Sequence, residues 1–244
     1  LTGGYLIEID SYAWGETSYF VSKKGVPVTI KSPDEDDIVP EQTKYITDYF
    51  NQMEAAIFAE NYDDEEEGYR SFLDLDSFLR YFMLEELCGN PDTFWSVYLT
   101  KNRYSNKFVV GPAWDFDIAF DNEKRAYPTD KFNDFLYTTQ VNVASETVRK
   151  MAVKKDTAAR QRLIEMWNKA RTEQGIDSEA LLEYIDQTAQ LLNESQMLNF
   201  KRWDILNQRV HENPQAAGSY EGEVAILKNY ISKRVPKLDT LIGQ

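Results

Sequence analysis

The 244-residue chain has one cysteine, Cys88, and one histidine, His211. A single thiol excludes a disulfide framework within the chain, so cysteine usage does not fix the compartment. Cys88 sits in an apolar helical pattern with no histidine near it in sequence, the setting of a buried structural thiol rather than a nucleophile. His211 lies in a polar stretch near the end, which leaves Ser-His-Asp and Cys-His chemistry without a well-placed base. No run is long and apolar enough to span a bilayer, and none has the layout of a signal peptide. The chain starts on Leu1 rather than Met, as a mature or trimmed product does, so a removed leader stays open. Basic charge is also scarce: 27 Lys and Arg against 41 Asp and Glu give a net charge of −14. Such a surface repels nucleic acid phosphates and anionic lipid, so neither is expected as a partner. The acidic runs Asp34–Asp37 and Asp63–Glu67 read as solvated loops, because neither carries the spaced ligands and glycine of an EF-hand.

What is present suffices for one sizeable core: 42% of residues are hydrophobic and 14% aromatic. Tyr5, Ile7 and Ile9 alternate with Leu6, Glu8 and Asp10 as in a strand, and Tyr19–Ser22 and Val26–Lys31 predict two more around a Lys23-Lys24-Gly25 turn. Pro40 opens a long amphipathic helix carrying Tyr45, Ile46, Tyr49, Phe50, Met53, Ile57 and Phe58 at helical spacing. A second helix is expected over about Leu75–Leu87, capped by Asp74 or Asp76, with Phe78, Phe82, Leu84 and Leu87 on its buried side. Gly89-Asn90-Pro91-Asp92 stops it, and Phe94–Thr100 with Lys107–Val110 predict a hairpin. From about Glu146 to Leu241 the pattern is mostly helical. The expectation is an α+β fold and a single domain over residues 1–244, with a β-rich part (1–122) and a helical part (123–244).

The segment richest in chemistry is Gly111-Pro112-Ala113-Trp114-Asp115-Phe116-Asp117. If the strand before it continued, Asp115 and Asp117 would share one face, where paired carboxylates call for a cation or a base between them. Trp114 and Phe116 make a partly dry wall that strengthens a bound Mg²⁺; the plainer alternative is a turn-capping Asp beside a solvated one. A helix, a loop holding Asp92, a β-hairpin and then Asp115-Phe116-Asp117 repeat the order of a protein-kinase catalytic lobe. Such a hairpin returns the chain, so Asp92 and Asp115 are expected to face one cleft. Asp92 reads equally well as a turn residue after Pro91.

At these residues the chain resembles the spore coat protein H (CotH) family of atypical secreted or surface protein kinases. The resemblance rests on Gly3-Gly4-Tyr5-Leu6-Ile7-Glu8-Ile9-Asp10, Ile30-Lys31-Ser32-Pro33-Asp34, Leu73-Asp74-Leu75-Asp76-Ser77-Phe78, Glu85-Glu86-Leu87 and Asn90-Pro91-Asp92. Its most specific part is Gly111-Pro112-Ala113-Trp114-Asp115-Phe116-Asp117-Ile118-Ala119-Phe120. It implies a bacterial, kinase-like fold acting outside the cell or at its surface, and phosphate transfer from ATP, with Mg²⁺ or Mn²⁺, to Ser of a secreted or surface protein. It also implies Asp92 as the catalytic Asp and Asp115 as the metal ligand, with Asp117 a lesser one.

Two departures bear on that implication. Where a kinase loop has an Asn for a second metal, this chain has Trp95, Ser96 and Val97, and only the Ser96 hydroxyl offers a weak ligand. No G-x-G-x-x-G occurs, and about 70 residues precede the second helix, so the expectation is a chain lacking its nucleotide-clamping lobe. Lys31 is then the best phosphate-binding candidate, with Glu8 as its partner, although a lysine at a strand end is commonly a solvated surface residue. Most aromatic residues are expected in the core, with Trp114 placed to stack on an adenine or sugar ring. Two other readings stay open. One is a catalytically degenerate module that assembles a spore coat or cell surface. The other is a carbohydrate-active protein, which needs two carboxylates about 5–10 Å apart across a Trp-lined groove.

Overall fold

The computed structural model describes residues 3–92, 94–124, 134–136 and 156–243; the expected helix start near Glu146 lies outside the described residues. The chain forms two compact units. The first comprises Leu1–Phe82, Asp92–Trp114 and Gln140–Leu163, the second Met83–Pro91, Asp115–Thr139 and Ile164–Gln244.

The first unit is built on a five-stranded antiparallel sheet of order β2-β3-β1-β4-β5. Its strands are β1 (Tyr5–Ile9), β2 (Tyr19–Val21), β3 (Pro27–Ser32), β4 (Val97–Lys101) and β5 (Phe108–Val110). Side-chain alternation divides its residues between two faces. Ile7, Val28, Ile30, Leu99 and Phe108 are buried on one, under helix α1 (Pro40–Phe58), whose Phe50 meets Phe20 and Phe108 edge to face and whose Tyr45 stacks on Tyr5. Such apolar burial against a helix is what stabilises a sheet with one polar face. Lys101 is buried on this core side, its Nζ 2.9 Å from the Ser105 carbonyl and over the rings of Tyr45 and Tyr49.

Helix α2 (Leu75–Cys88) begins where expected: the Asp74 carboxylate accepts the Ser77 amide at 2.8 Å, and Asp74 is the cap. Asp76 instead receives both arms of the Arg162 guanidinium at 2.9 and 2.7 Å. Ser77 Oγ in turn accepts the Val110 amide at 3.1 Å, which ties the helix start to β5. Three expectations need correction. Leu84 is exposed rather than on the buried side, because α2 carries apolar residues around most of its circumference and the period alone picks no single face. Strand β4 begins at Val97, not Phe94, since the Trp95 amide bonds the Asp92 carbonyl at 2.9 Å rather than a neighbouring strand. Of the five tryptophans only Trp167 is buried; Trp14, Trp114 and Trp203 are exposed and Trp95 is intermediate.

The second unit is helical. It contains the last part of α3 (Thr157–Glu173), then α4 (Ser178–Leu191), α5 (Asn193–Arg202) and α6 (Tyr220–Gly243). Its core gathers on α6, where Tyr230, Ile231, Val235, Leu238 and Ile242 are buried. Arg234 is buried among them and paired: Nη2 lies 2.7 Å from the Glu86 carboxylate, Nε donates to the Glu86 carbonyl, and Nη1 to the Asp134 carbonyl. Among the described residues no helix is long and apolar enough to cross a membrane. Helices and an antiparallel sheet in one chain make this an α+β protein.

Candidate functional site

Away from α1, the sheet turns a polar face outward. Glu8 stands opposite Thr29 on one side and Tyr98 on the other, and Lys31 follows Thr29 by two residues, so all four share this face. Lys31 Nζ lies 3.2 Å from Glu8 Oε2 and 3.4 Å from Glu16 Oε1. Glu8 is buried and Tyr98 offers its hydroxyl to the same carboxylate. Burial pushes the Glu8 carboxyl above its ordinary value; Lys31 and the Tyr98 hydroxyl pull it back only in part, and the nearby Asp10 charge adds to the rise. For Lys31, burial alone would push the ammonium down, but the carboxylates of Glu8 and Glu16 together outweigh it and hold the value above the usual lysine range. Asp10, also buried, is spoken for locally: Thr29 Oγ1 donates to it at 2.9 Å and the Tyr12 amide at 2.7 Å.

The expected pair Lys31–Glu8 is therefore brought together, on the face that also holds Trp114. The Trp114 ring meets Tyr98 at 5.3 Å between centroids, and its indole N–H donates to the Ser96 carbonyl at 2.7 Å. Ser96 has a backbone φ of 57°, a left-handed conformation uncommon outside glycine. Asp92, at the start of this segment of the first unit, is exposed and closes the turn before Phe94.

Asp115 and Asp117 belong to the second unit. The strand does not continue to them: β5 ends at Val110, and Gly111 at a φ of 125° and Pro112, which has no amide N–H, end the ladder. The expected shared strand face is thus replaced by a loop. Asp115 takes a φ of 61°, and Phe120 and Asp121 follow at 57° and 71°. Such conformations cost of order 1–3 kcal/mol each, persist only where surroundings impose them, and cluster at functional sites. The surroundings can be named. The buried Asn90 donates its side-chain amide to the Asp115 carbonyl at 3.3 Å, and the Phe120 amide bonds the Cys88 carbonyl at 2.7 Å. Asn122 Nδ2 donates to the Asp117 carbonyl at 2.7 Å, and Asn213 Nδ2 in turn reaches the Asn122 carbonyl at 3.0 Å. The loop is pinned by its backbone while the Asp115 and Asp117 side chains face solvent.

Among the described residues no group of three or more His, Cys, Asp or Glu could cage a metal. That donor set still fits Mg²⁺ or Mn²⁺ carried by a nucleotide, since Mg²⁺ is usually held by one or two carboxylates, phosphate oxygens and waters rather than by an all-protein cage. Sequence reasoning missed Asn90 as an anchor and Tyr98 as a partner of Glu8. The Asn-x-Asp spacing was visible, but what Asn90 holds depends on a loop 25 residues away, and Tyr98 depends on strand register.

An antiparallel sheet with a buried glutamate paired to a partly exposed lysine on its polar face, followed by a helical half, defines a class of α+β protein rather than one protein. The family model described as CotH kinase protein matches residues 2–238, nearly the whole chain, and the chain belongs to that family. No curated protein matches it.

Proposed function

We propose that this chain is the catalytic part of a kinase-like fold that transfers phosphate from ATP, with Mg²⁺ or Mn²⁺, to serine of a secreted or surface protein. The observation that carries the reading is Lys31, held 3.2 Å from the buried Glu8. A lysine anchored by a buried carboxylate presents its ammonium at a fixed place, as phosphate binding needs. On this reading Lys31 binds phosphate oxygens, Glu8 orients it, and Trp114 offers a ring to the base. Asp115 is the metal ligand, with Asp117 and Ser96 as lesser ones. Asp92 accepts the proton of the serine hydroxyl; its exposure is what a base serving a macromolecular substrate requires. The nucleotide with its metal supplies the transferable phosphoryl group and neutralises charge on it.

One observation favours a second reading, a degenerate module assembling a spore coat or cell surface. Lys31 already has two carboxylates, Glu8 and Glu16, and a phosphate must compete with the latter. The test is a thermal shift with ATP, Mn²⁺ and Mg²⁺ added singly and together, on the parent chain and on Asp115→Ala and Lys31→Ala. Nucleotide at ~100 times its Kd adds about 2.7 kcal/mol. A shift that needs ATP and metal together and is lost in both variants supports phosphotransfer. No shift in any combination supports the assembly reading.

A further inference from the structure

Helices α4 and α5 contain no buried residue, although α4 carries an apolar stripe. Helix α4 is held to α6 by Lys228, whose Nζ lies 2.6 Å from both oxygens of Asp186, and by the Tyr220 hydroxyl on the Ala189 carbonyl at 3.2 Å. That contact leaves Tyr184 67% and Leu192 44% exposed. Two adjoining grooves of about 450 and 350 Å³ run along the helix pair and share Ala189, Tyr220 and Val224. The second is floored by Ile185, Leu192 and Leu227 beside Tyr184. Single exposed apolar residues are ordinary on a protein surface, but a contiguous apolar groove with this many marks a docking surface.

The charge around it selects the occupant. The groove lining carries Asp186, Glu221 and Glu223 against one lysine, Lys228, and α4 adds Glu179 and Glu183 beside it. Asp186 pairs with Lys228, while Glu179, Glu183 and Glu194 are exposed. An apolar floor with a mainly acidic rim fits a helix with apolar side chains at i, i+3 or i+4 and i+7 flanked by Lys and Arg. A second copy of this chain would bring the same carboxylates against each other, and an anionic lipid surface would be repelled. We infer that the α4–α6 groove docks a basic amphipathic helix of a partner protein. Neither groove is lined by Lys31, Asp92 or Asp115, and the inference stands whether or not the chain transfers phosphate.

The probe is a fluorescent Leu/Lys amphipathic peptide of about 18 residues, five helical turns. It is compared by anisotropy with a scrambled peptide of the same composition and with a Leu/Glu version. The Leu/Lys peptide should bind, and the other two at least ~10-fold more weakly, a difference of about 1.4 kcal/mol. Tyr184→Ser with Leu192→Ser, which line the second groove, and separately Glu179→Lys with Glu183→Lys, should each weaken binding by a similar factor while leaving the melting temperature unchanged, since all four side chains are exposed. Equal binding of the scrambled peptide would reduce the effect to bulk charge and overturn the proposal. So would equal binding of the Leu/Glu peptide, indifference to both variants, or self-association in sedimentation that Leu192→Ser abolishes.

Discussion

Asn90 Nδ2 donates to the main-chain carbonyl of Asp115 at 3.3 Å, and Asp115 sits at a φ of 61°. A buried side chain at the end of α2 thus helps hold a candidate metal ligand in a conformation that costs free energy elsewhere. Asp and Asn tolerate the left-handed region better than other non-glycine residues, because a short polar side chain bonds locally. Asp115→Asn should therefore keep the loop and the melting temperature, while losing any stabilisation by ATP with metal. Asn90→Ala removes the donor and should cost about 1–3 kcal/mol in urea denaturation. It should also weaken metal-dependent nucleotide binding with Asp115 itself intact. Equal nucleotide binding in Asn90→Ala and the parent would show that the anchor does not position Asp115.

Lys31 and Glu8 make the second prediction, with a pH dependence. Lys31→Ala leaves the buried Glu8 without its cation, and Lys31 is itself less than a third exposed, so the cost should be about 2 kcal/mol, below that of a fully buried pair. The sign follows from Glu8, already raised by burial and raised further once Lys31 is gone. A carboxyl whose folded value is raised is taken up protonated at low pH and destabilises as pH rises through that value. The loss in Lys31→Ala should be largest at neutral pH and above, and should shrink as the pH falls into the carboxylate range. Glu8→Gln in the same chain should recover part of it. Denaturation midpoints at several pH values for the parent and both variants measure this; a pH-independent loss would rule out Glu8 as the coupled group.

How much of this was legible beforehand differs between elements for physical reasons. Strand β1 and helix α1 are written in plain period-two and period-3.6 patterns, and Asp74 is a standard cap, so those elements were visible. Lys31 and Glu8 were visible as candidates because a charged residue on an otherwise apolar strand stands out, but their contact needed the β1–β3 register, Glu8 opposite Thr29. The loop at Asp115 was not legible. Its path is set by Asn90, by the Cys88 carbonyl that receives the Phe120 amide, and by Asn122, none of which announces a long-range bond in sequence. Trp14 and Trp203 were misjudged because aromatic content signals a core only on average; Trp14 lies in a short 3₁₀ helix and Trp203 just past the end of α5.

Cys88 gives a chemical prediction. The thiol is buried, and desolvation, with the nearby Glu85 charge, pushes its pKa up to about 12. A thiol with an unfolded value near ~8.5 and a higher folded one contributes nothing to the pH dependence at neutrality; it weakens the fold as pH rises from ~8.5 toward the folded value. At pH 8 the native chain should react with a thiol-directed disulfide reagent orders of magnitude more slowly than the urea-unfolded chain. Rapid native labelling would mean that the end of α2 opens readily.

Asp156 supports the fold of the first unit at a point where three demands meet. Its carboxylate caps α3 by accepting the Ala159 amide at 3.0 Å, takes the Tyr69 hydroxyl at 2.6 Å, and pairs with Arg70 at 2.9 Å. Burial and the Asp156 charge drive the Tyr69 phenol far above its ordinary value, so the phenol stays a donor at every accessible pH. Removing the carboxylate strips the helix of its cap, about 1 kcal/mol, and leaves Arg70 and Tyr69 without their buried acceptor. Together these should bring Asp156→Ala to about 3–5 kcal/mol, the range for breaking one partner of a buried pair. Asp156→Asn keeps the shape and can still cap α3 and accept from Tyr69, but it loses the charge that answers Arg70, so it should fall between the alanine variant and the parent. Paired urea denaturations decide the order. If Asp156→Asn proves as damaging as Asp156→Ala, the charge on Arg70 dominates the network; if it matches the parent, the cap and the Tyr69 hydroxyl carry it.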